Sequence, residues 1–400
     1  MIEKLTIQSF KSLESVEIDL GQVNVFVGAN GSGKSNLLEG TGVLSAAAEG
    51  KVNDQSLLQR GVRPGVPSLY KSAFPRATSP AHTRISPHIF FSAANGHASY
   101  EVSLHNPLRD PTPAWRYKTE RWCSEDDKIV GRSPNTREKL NPEQGLAALR
   151  SAERQPGDPG LELLSLLRRF VIYSPTTAVL RGTSLDTQLF PPVGLSGGQL
   201  PNAIRDVLLY RAKNPHARRV CGEALRLIDW AKSFGAAQAA HMPLSPSAAA
   251  SPLVIQFKDK FMSPGRNMLS GYDASEGALY VLFLAVLAAH PHSPAFCAVD
   301  NADHGLNPRL AQALMKCYCR WLLDAPQPRQ VLLTTHSPSV LDGLPLQNDR
   351  VRLFTVSRTS SGRTAVRRIT VDEKLMAKAK QGWTLSRLWV MGHLGGVPNV

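Results

Sequence analysis

Apolar residues near the N-terminus predict strands in close succession. A first strand ends at Phe10, and Val16, Ile18 and Leu20 then alternate with polar or charged residues, as in a half-buried strand. Residues 23–27, Val-Asn-Val-Phe-Val, are rich in β-branched side chains and predict a buried strand that leads directly into a glycine-rich segment.

The same regularity returns from about residue 268 to the C-terminus. The predicted elements are an apolar helix ending at Ala289, a buried strand at 295–300, a helix at 308–323, strands at 330–335, 351–356 and 364–369, and a short C-terminal helix. Buried strands that alternate with helices predict an α/β fold with a largely parallel sheet.

The middle of the chain is interrupted by Pro and Gly. We predict two antiparallel strands around Asn95-Gly96, within residues 85–104, and helices at 143–152, 161–170 and 202–234. No heptad repeat runs through these helices, so no long coiled coil is expected. The sequence thus divides into an N-terminal lobe over residues 1–61, a mostly helical insertion over 62–264 and a C-terminal lobe over 265–400.

The composition indicates the cellular compartment of the protein and the charge of its binding partners. Lys and Arg number 46 against 32 Asp and Glu, and the formal charge of +14 favours an acidic partner such as nucleic acid, ATP or an acidic protein. Five cysteines at irregular spacing do not form a disulfide framework. The longest apolar run, Gly277 to Ala289, is too short to cross a bilayer, and the N-terminus has no apolar signal segment. We therefore expect a cytoplasmic protein that is not inserted in a membrane.

Residues 28–35 fit the phosphate-loop pattern G-x-x-x-x-G-K-[ST] completely, between a predicted strand and a predicted helix. Glycines let backbone N–H groups surround phosphates, and the helix adds its positive N-terminal end. Lys34 offers a positive charge to the β- and γ-phosphates, and Ser35 offers a hydroxyl to Mg²⁺. We therefore predict ATP and Mg²⁺ as cofactors. The predicted nucleotide-binding residues are Gly28, Ala29, Asn30, Gly31, Ser32, Gly33, Lys34, Ser35 and Asn36.

Two polar residues follow neighbouring buried strands. Asp300 ends the strand at 295–300, which is the place of the acid that holds Mg²⁺ through water in phosphate-loop sites. We predict Asp300 and Ser35 as the metal-binding residues. His336 ends the next buried strand, where a histidine can reach the γ-phosphate or the attacking water, and we predict that it is catalytic.

Four segments together resemble the ABC-type AAA ATPases of the RecF/SMC/OLD class, in a short form without a coiled coil. They are Phe10–Leu13, Gly28–Ser35, Asp300–Pro308 and Thr334–Pro338. The ending Leu388–Pro398 is also similar to the usual ending of these proteins. The resemblance covers about residues 1–45 and 265–400, and it implies a P-loop NTPase with an ABC-type head.

The resemblance implies a homodimer, or a higher homo-oligomer, that sandwiches two ATP molecules, each completed by a Ser-x-Gly signature from the other subunit. Leu195–Gln199 spells the transporter signature Leu-Ser-Gly-Gly-Gln, whereas the segment from Ser275 to Gly277 matches it less well. In this class the signature stands at the start of the helix that precedes the strand ending in the magnesium-binding acid. Ser275 is 25 residues before Asp300, which leaves room for one helix and one strand, whereas Ser196 is 104 residues before it. We therefore expect Ser275 and Gly277 to act in trans, and the other segment to be a glycine-rich turn before a helix.

One position departs from the family pattern. The residue after Asp300 is normally Glu, which polarises the attacking water, and here it is Asn301. An amide cannot accept that proton as a base. We therefore expect slow hydrolysis, or a larger catalytic role for Asp303 or His336. Gln59 is a candidate for the glutamine that senses the γ-phosphate in this class.

The resemblance favours an ATP-driven subunit of a prokaryotic anti-phage defence or DNA-processing complex. ATPases of this kind accompany nuclease or TOPRIM-like effectors, as in PARIS-, Septu- and OLD-like pairs. Only 64 residues follow His336, too few for an OLD-type nuclease domain, so we expect an effector in trans. We also expect the middle region to bind a partner protein. A RecF-like DNA-binding repair ATPase stays open as an alternative, as does direct nucleic-acid contact; a transporter ATPase is disfavoured by the displaced motif.

Overall fold

The computed structural model describes residues 1–76, 79–125, 127–133, 140–245 and 251–396. Its strands are β1 Lys4–Phe10, β2 Leu13–Asp19, β3 Val23–Val27, β4 Ala73–Arg76, β5 Ser79–Ile85, β6 Ile89–Asn95, β7 Ala98–His105, β8 Arg116–Ser124, β9 Asp127–Arg132, β10 Ile172–Tyr173, β11 Ala231–Gln238, β12 Leu253–Asp259, β13 Met268–Ser270, β14 Phe296–Val299, β15 Gln330–Thr335, β16 Val351–Arg358 and β17 Thr364–Ile369.

The α-helices are α1 Lys34–Glu49, α2 Asp54–Leu58, α3 Pro67–Tyr70, α4 Leu146–Arg150, α5 Pro159–Arg168, α6 Thr177–Leu180, α7 Leu200–Tyr210, α8 Pro215–Leu227, α9 Glu276–Ala289, α10 Pro308–Leu323, α11 Glu373–Lys380 and α12 Leu385–Val390. No helix in the described part of the chain is both long and apolar enough to cross a membrane.

Two six-stranded sheets organise the molecule. One is antiparallel, in the order β2-β1-β6-β7-β8-β9. The other is in the order β10-β14-β15-β3-β16-β17, and its strands are parallel up to β16, against which β17 runs antiparallel. The predicted α/β fold with a largely parallel sheet is therefore confirmed. A smaller sheet, β11-β12-β13, lies beside α7.

Apolar side chains fill two cores, one on each face of the parallel sheet. On one face α1 packs against the antiparallel sheet, with Leu37 and Leu44 buried near Ile7 and Phe91. On the other face α9 is enclosed by α7, α8 and α10, and its residues from Gly277 to Ala289 are all buried. A helix that is apolar all round needs such enclosure, which explains why the longest apolar run of the chain is a core helix.

Several predicted elements are confirmed almost to the residue. β3, β15, β17 and α10 have the predicted bounds, and the hairpin pairs Asn95 with Ala98. α1 begins at Lys34, inside the phosphate loop, because Gly33 serves as its N-cap with φ of 110°. Only glycine adopts that backbone conformation without strain.

The predicted helix over residues 202–234 is wrong in its bounds. α7 ends at Tyr210, and α8 begins afresh at Pro215, where the Asn214 side chain accepts a hydrogen bond from the N–H of Ala217. Proline suits the first turn of a helix but not its interior. The last predicted residues belong to β11, which pairs along its length with β12.

The middle region differs from the prediction of a mostly helical insertion. Its strands β6–β9 extend the sheet that β1 begins, with Ile7 opposite Phe91, and its strand β10 pairs with β14 in the parallel sheet. An edge strand with unpaired N–H and C=O groups gains by such pairing. The middle region therefore contributes strands to both six-stranded sheets. Within it, residues 77–78, 126, 134–139 and 246–250 lie outside the described residues.

Candidate nucleotide site

The predicted site residues converge on one edge of the parallel sheet. Parallel strands end at the same edge, so the loops after β3, β10, β14 and β15 are neighbours. These loops begin with Gly28, Ser174, Asp300 and His336. The structure thus brings together the phosphate loop, the acid and the histidine that the sequence placed at strand ends.

The phosphate loop packs closely against β16 and β17, and two glycines make this close approach possible. A Cβ at Gly28 would lie 2.1 Å from the carbonyl oxygen of Val356, and one at Gly33 would lie 2.2 Å from the hydroxyl of Thr364. That hydroxyl also donates a hydrogen bond of 2.8 Å to the carbonyl oxygen of Ser32. Glycine is therefore required at both positions for the loop to keep its shape.

Lys34 lies folded back onto its own loop. Its ammonium group donates hydrogen bonds of 2.8 Å to the carbonyl oxygen of Gly28 and 2.9 Å to that of Ala29. The residue is only 7% exposed, and burial lowers its pKa, while the carboxylates of Asp300 and Asp303 act in the opposite direction. A buried cation held by neutral carbonyl groups is suited to exchange them for an anion such as phosphate.

Asp300 joins the ends of two strands to the start of α1. Its Oδ2 atom lies 3.1 Å from the hydroxyl of Ser35, and the buried hydroxyl of Thr334 donates to its Oδ1 atom. The same threonine oxygen accepts a 2.8 Å hydrogen bond from the backbone N–H of Asn301. Thr334 therefore fixes both Asp300 and the backbone after it.

The donor set at Ser35 and Asp300 fits Mg²⁺, which prefers hydroxyl, carboxylate, phosphate and water oxygens. Among the described residues, no group of three or more His, Cys, Asp or Glu side chains is arranged to hold a metal ion. A magnesium ion at this place would therefore take its remaining ligands from phosphate and water, as in other nucleotide sites.

The predicted catalytic residues occupy unequal environments. Asn301 is exposed and has φ of 53°, in the left-handed region that asparagine tolerates better than most residues. The Asp303 side chain is 2% exposed, and its Oδ2 atom lies 3.6 Å from Nδ1 of the half-exposed His336. The Oδ1 atom of Asp303 has no hydrogen-bond partner among the described residues. This geometry lets Asp303 orient the imidazole ring.

The segment predicted as the trans signature lies at the start of α9. Ser275 is the N-cap of this helix, and its exposed side chain makes no capping hydrogen bond. Gly277 is buried, and a Cβ there would lie 2.9 Å from Cδ2 of Leu310. Ser275 thus faces solvent at the N-terminal end of a 14-residue helix, whereas Glu276 is half-buried. The action of Ser275 and Gly277 on a second subunit stays a prediction.

The transporter-like segment Leu195–Gln199 is a turn immediately before α7. The backbone N–H groups of Ser196 and Gly198 donate to Oδ2 of Asp186, at 3.0 and 3.1 Å. A carboxylate of the same chain therefore fills the anion-binding concavity that such a turn creates. This geometry matches the glycine-rich turn expected from the spacing.

Sequence reasoning missed a polar cluster at the signature. The Thr177 hydroxyl, four residues beyond β10, donates to the Glu276 carboxylate in α9. His304 approaches the same carboxylate with its Nε2 atom, 3.5 Å from Oε1. No sequence signal reveals the cluster, because β10 is only two residues long and the three side chains come from distant segments.

A second missed cluster lies one turn into α1. The Glu39 carboxylate is buried and accepts from both Lys11 and Arg63, the latter at 2.6 Å. The Arg63 side chain is 73% exposed, and Asp300 contributes to raising its pKa after the larger effect of Glu39. Arg63 therefore adds positive charge beside the phosphate loop.

The structure does not bring Gln59, the candidate for the γ-phosphate sensor, to the phosphate loop, since it lines a groove with Glu49 at the end of α1. Its neighbour Arg60 bonds to the hydroxyl of Ser45 on α1. Ser45 lies 11 residues beyond Lys34, which corresponds to about 16 Å along the helix. Gln59 therefore lies toward the far end of α1, away from the phosphate loop.

Two segments of the chain match families of ATPase domains. Residues 231–342 match the family described as "AAA domain, putative AbiEii toxin, Type IV TA system", and residues 1–53 match the family described as "AAA ATPase domain". The first segment contains Ser275, Asp300 and His336, and the second contains the phosphate loop. Together the matches cover β3, β14 and β15 with the loops that follow them, but not β10, β16 or β17.

Curated relatives are similar over shorter stretches. A DNA double-strand break repair Rad50 ATPase from Saccharolobus solfataricus is 36% identical over 72 residues, 18% of this chain and 8% of the relative. A DNA replication and repair protein RecF from Renibacterium salmoninarum is 26% identical over 141 residues, 35% of this chain and 33% of the relative. The chain therefore matches about a third or less of the length of these relatives.

Solved structures resemble the chain over most of its length. An SMC head bound to the C-winged helix domain of ScpA has a TM-score of 0.54 at 14% identity, covering 93% of this chain and 99% of the other. An Smc head domain with an extended coiled coil, bound to the C-terminal domain of ScpA derived from Pyrococcus furiosus, has a TM-score of 0.51 at 12% identity, covering 95% and 98%. The fold is thus that of an ABC-type head.

Proposed function

We propose that the chain, an ABC-type, AAA-family ATPase of the RecF/SMC-like class, binds ATP with Mg²⁺ and hydrolyses it slowly. The observation that carries this proposal is the junction of Ser35, Asp300 and Thr334 beside the buried ammonium of Lys34. The loop offers backbone N–H groups and one cation to the phosphates. When bound, Mg²⁺ would neutralise phosphate charge between the Ser35 hydroxyl and the Asp300 carboxylate.

Slow turnover follows from the side chain at position 301. A positioned general base contributes roughly 10²–10⁴ in rate. The Asn301 amide can hold a water molecule by a hydrogen bond but cannot take its proton. His336 and Asp303, whose nearest side-chain atoms are 3.6 Å apart, are the remaining candidates for the base. ATP is therefore bound for longer than it would be beside a glutamate.

We further propose that two copies close around two ATP molecules. Ser275, the N-cap of α9, is exposed, and its hydroxyl has no partner in the described chain. A helix N-terminus favours negative charge through its dipole and its free N–H groups. In a head-to-tail dimer the N-terminus of α9 would contact the γ-phosphate of the ATP bound to the other subunit. ATP would then lie in the interface and stabilise the dimer.

The wider role we propose is that of an ATP-gated subunit in an anti-phage defence or DNA-processing complex, with a separate effector such as a nuclease. The net charge of +14 suits a nucleic acid or an acidic protein as partner. The Rad50 and RecF relatives are DNA-repair proteins by name, and the SMC heads are bound to ScpA. The second candidate, a RecF-like DNA-binding repair ATPase, is favoured by the same charge and by the RecF match.

One assay tests the activity and separates the two roles. ATP turnover of the purified chain is measured with and without duplex DNA, at low and moderate salt, beside DNA binding under the same conditions. A repair ATPase that binds DNA directly should bind duplex in the ATP state, with affinity falling steeply as salt rises. A subunit that works through an effector should hydrolyse ATP slowly and ignore DNA. Lack of any ATP binding would overturn both roles.

A further inference from the structure

A large groove opens at the end of α1 that is remote from the phosphate loop. Its volume is about 1210 Å³, and Glu49, the last residue of α1, lines it together with Phe170 and Val171, which precede β10. α1 has 16 residues, so the groove and the phosphate loop are separated by about 24 Å of helix. The volume exceeds the range of roughly 300–1,000 Å³ found for small-molecule pockets. The groove therefore suits a segment of a polymer.

Positive charge dominates this groove. Four cationic side chains line it, against one carboxylate among its lining residues, that of Glu49. Arg168 lies 3.9 Å from that carboxylate. Lys51 and Arg169 are exposed and have no ion-pair partner in the described parts of the chain. An anionic ligand would meet unneutralised charge here.

The fourth cation, Arg60, is part of the groove wall. It is 7% exposed, and it donates hydrogen bonds of 2.8 Å to the hydroxyl of Ser45 and to the carbonyl oxygen of Ser56. No carboxylate lies within ion-pair distance of it among the described residues, and burial lowers its pKa, although the charge of Glu49 acts in the opposite direction. A nearby anion would offset the cost of burying this charge.

The apolar part of the groove is aliphatic. Leu58 and Leu189 on its rim are 41% and 67% exposed. The aromatic rings that line it are withdrawn: Phe170 is fully buried, and Phe190 is partly buried against the core. Single-stranded nucleic acid is usually held by exposed aromatic rings on which bases stack. Exposed leucines beside cations favour a peptide that carries acidic and aliphatic side chains.

The turn that spells the transporter signature supports one wall of the groove. Asp186 accepts from the N–H groups of Ser196 and Gly198 through Oδ2, and from the N–H of Gln188 through Oδ1 at 3.0 Å. Gln188 and Leu189 belong to the wall. The turn thus has a structural use that does not involve nucleotide, because it fixes the loop that carries Leu189.

We propose that this groove is the docking site for an extended acidic segment of a partner protein, whose carboxylates meet Lys51 and Arg169 and whose aliphatic side chains pack on Leu58 and Leu189. The site is independent of the nucleotide chemistry at the opposite end of α1. The binding surface is shared between the N-terminal lobe, which supplies Lys51 and Leu58, and the middle region, which supplies Arg169 and Leu189.

Fluorescence anisotropy of the full chain tests the proposal with a labelled peptide made of three Glu-Leu-Asp repeats. The comparison probes are the same peptide with Lys for both acids, the same peptide with Ser for Leu, and a nine-nucleotide oligothymidylate. The variants are Arg169→Glu and Leu189→Ser. Their matched controls are Arg218→Glu and Leu209→Ser, which change exposed residues on α8 and α7. ATP turnover of every variant is measured in parallel.

We expect the acidic peptide to bind at least about tenfold more tightly than the lysine peptide, and Arg169→Glu to weaken it about tenfold. Leu189→Ser should weaken it several-fold, both controls should stay within twofold, and ATP turnover should not change. Equal losses in Arg169→Glu and Arg218→Glu would mean that net charge alone attracts the peptide, and would overturn the proposal. Tighter binding of the oligothymidylate than of the peptide, or no peptide binding, would overturn it as well.

Discussion

The carboxylate of Asp300 lies 3.1 Å from the hydroxyl of Ser35, although 265 residues separate the two in sequence. The contact exists because β3 and β14 are parallel strands of one sheet with β15 between them, so that their carboxyl ends meet. β15 supplies Thr334, whose hydroxyl holds Asp300 from the other side. A hydroxyl and an acid are thereby set beside the phosphate loop before any ligand arrives.

Lys34→Ala should weaken ATP binding at least about tenfold, because the only cation of the phosphate loop is lost. The fold should not suffer, since burying the ammonium group costs free energy and lowers its pKa. Calorimetric titration with ATP and thermal unfolding measure the two effects. Lys213→Ala, at an exposed position, is the control and should change neither. Equal ATP affinity for Lys34→Ala and the parent would refute the phosphate-loop assignment.

Ser275→Arg should leave ATP binding to the monomer intact and abolish dimerisation driven by ATP. The arginine would place a bulky cation at the exposed N-terminus of α9, where the helix dipole is already positive. Ser196→Arg serves as the matched variant in the transporter-like turn and should leave dimerisation intact. Light scattering after gel filtration, with and without ATP, decides the ranking. The opposite ranking would assign the trans signature to residues 195–199.

The parallel sheet could be predicted from sequence because apolar and β-branched side chains predominate in its central strands. Every residue of β3, β14 and β15 is buried, and Asp300 and His336 directly follow β14 and β15. A single local motif, residues 28–35, then predicts where the phosphates of a nucleotide would bind. Local pattern and global fold agree in this part of the chain.

Other features depend on contacts that no local pattern reveals. β10 has two residues and is a strand only because β14 lies beside it. In β8 the buried residues Tyr117 and Trp122 alternate with charged side chains. Glu120 on the same strand is also buried, so a charged residue interrupts the apolar pattern by which a strand is recognised in sequence. That carboxylate is tolerated because it accepts from the N–H groups of Leu146 and Ala147 and from the Tyr100 hydroxyl. The hydrogen bonds that stabilise this buried carboxylate come from other segments of the chain, so the alternation within β8 cannot reveal them.

His290 should make the protein less stable as the pH falls. Burial lowers its pKa to about 4, and its Nδ1 atom accepts a hydrogen bond from the N–H of His292. In the unfolded chain a histidine binds a proton near pH 6.5. The unfolded state therefore binds more protons below that pH, and stability is lost between about pH 6.5 and 4.

This effect amounts to about 2 kcal/mol between pH 7.5 and pH 5.0. Urea unfolding at the two pH values should show that His290→Asn, which keeps an acceptor for His292, loses about that much less stability than the parent. His241→Asn, at an exposed position, should behave like the parent. An identical pH dependence for His290→Asn and the parent would mean that other groups dominate the acid response.

Asp303→Asn should lower kcat about tenfold and change the KM for ATP much less, since Asp303 lies 3.6 Å from His336 and acts on Lys34 of the phosphate loop only through its charge. A double-mutant cycle identifies its route of action. If Asp303 works by orienting His336, adding Asp303→Asn to His336→Ala should cause no further loss. Steady-state ATPase assays on the two single variants and the double variant measure this. Additive losses would mean that Asp303 acts on water or metal independently of the histidine.

The final prediction concerns Asn301, which has φ of 53° and an exposed side chain next to Asp300. Asn301→Glu supplies the missing carboxylate, so turnover should rise, by roughly 10- to 100-fold within the 10²–10⁴ that a well-positioned base contributes. Glutamate tolerates the left-handed region less well than asparagine, so the variant should also lose about 1 kcal/mol of stability. Asn301→Gln has the same length and strain without the charge, and it should lose stability without gaining turnover.

Steady-state ATPase rates and unfolding temperatures of the parent and both variants therefore separate chemistry from strain. A low rate in the parent that rises only with Glu would establish that the natural side chain slows hydrolysis and prolongs the ATP-bound state. Such a protein acts as a long-lived clamp that an external trigger releases, and ATP-bound dimers of the parent should outlast those of Asn301→Glu in the light-scattering assay. A parent that already turns over briskly, with no gain from Glu, would show that Asp303 or His336 supplies the base and that the clamp interpretation is wrong.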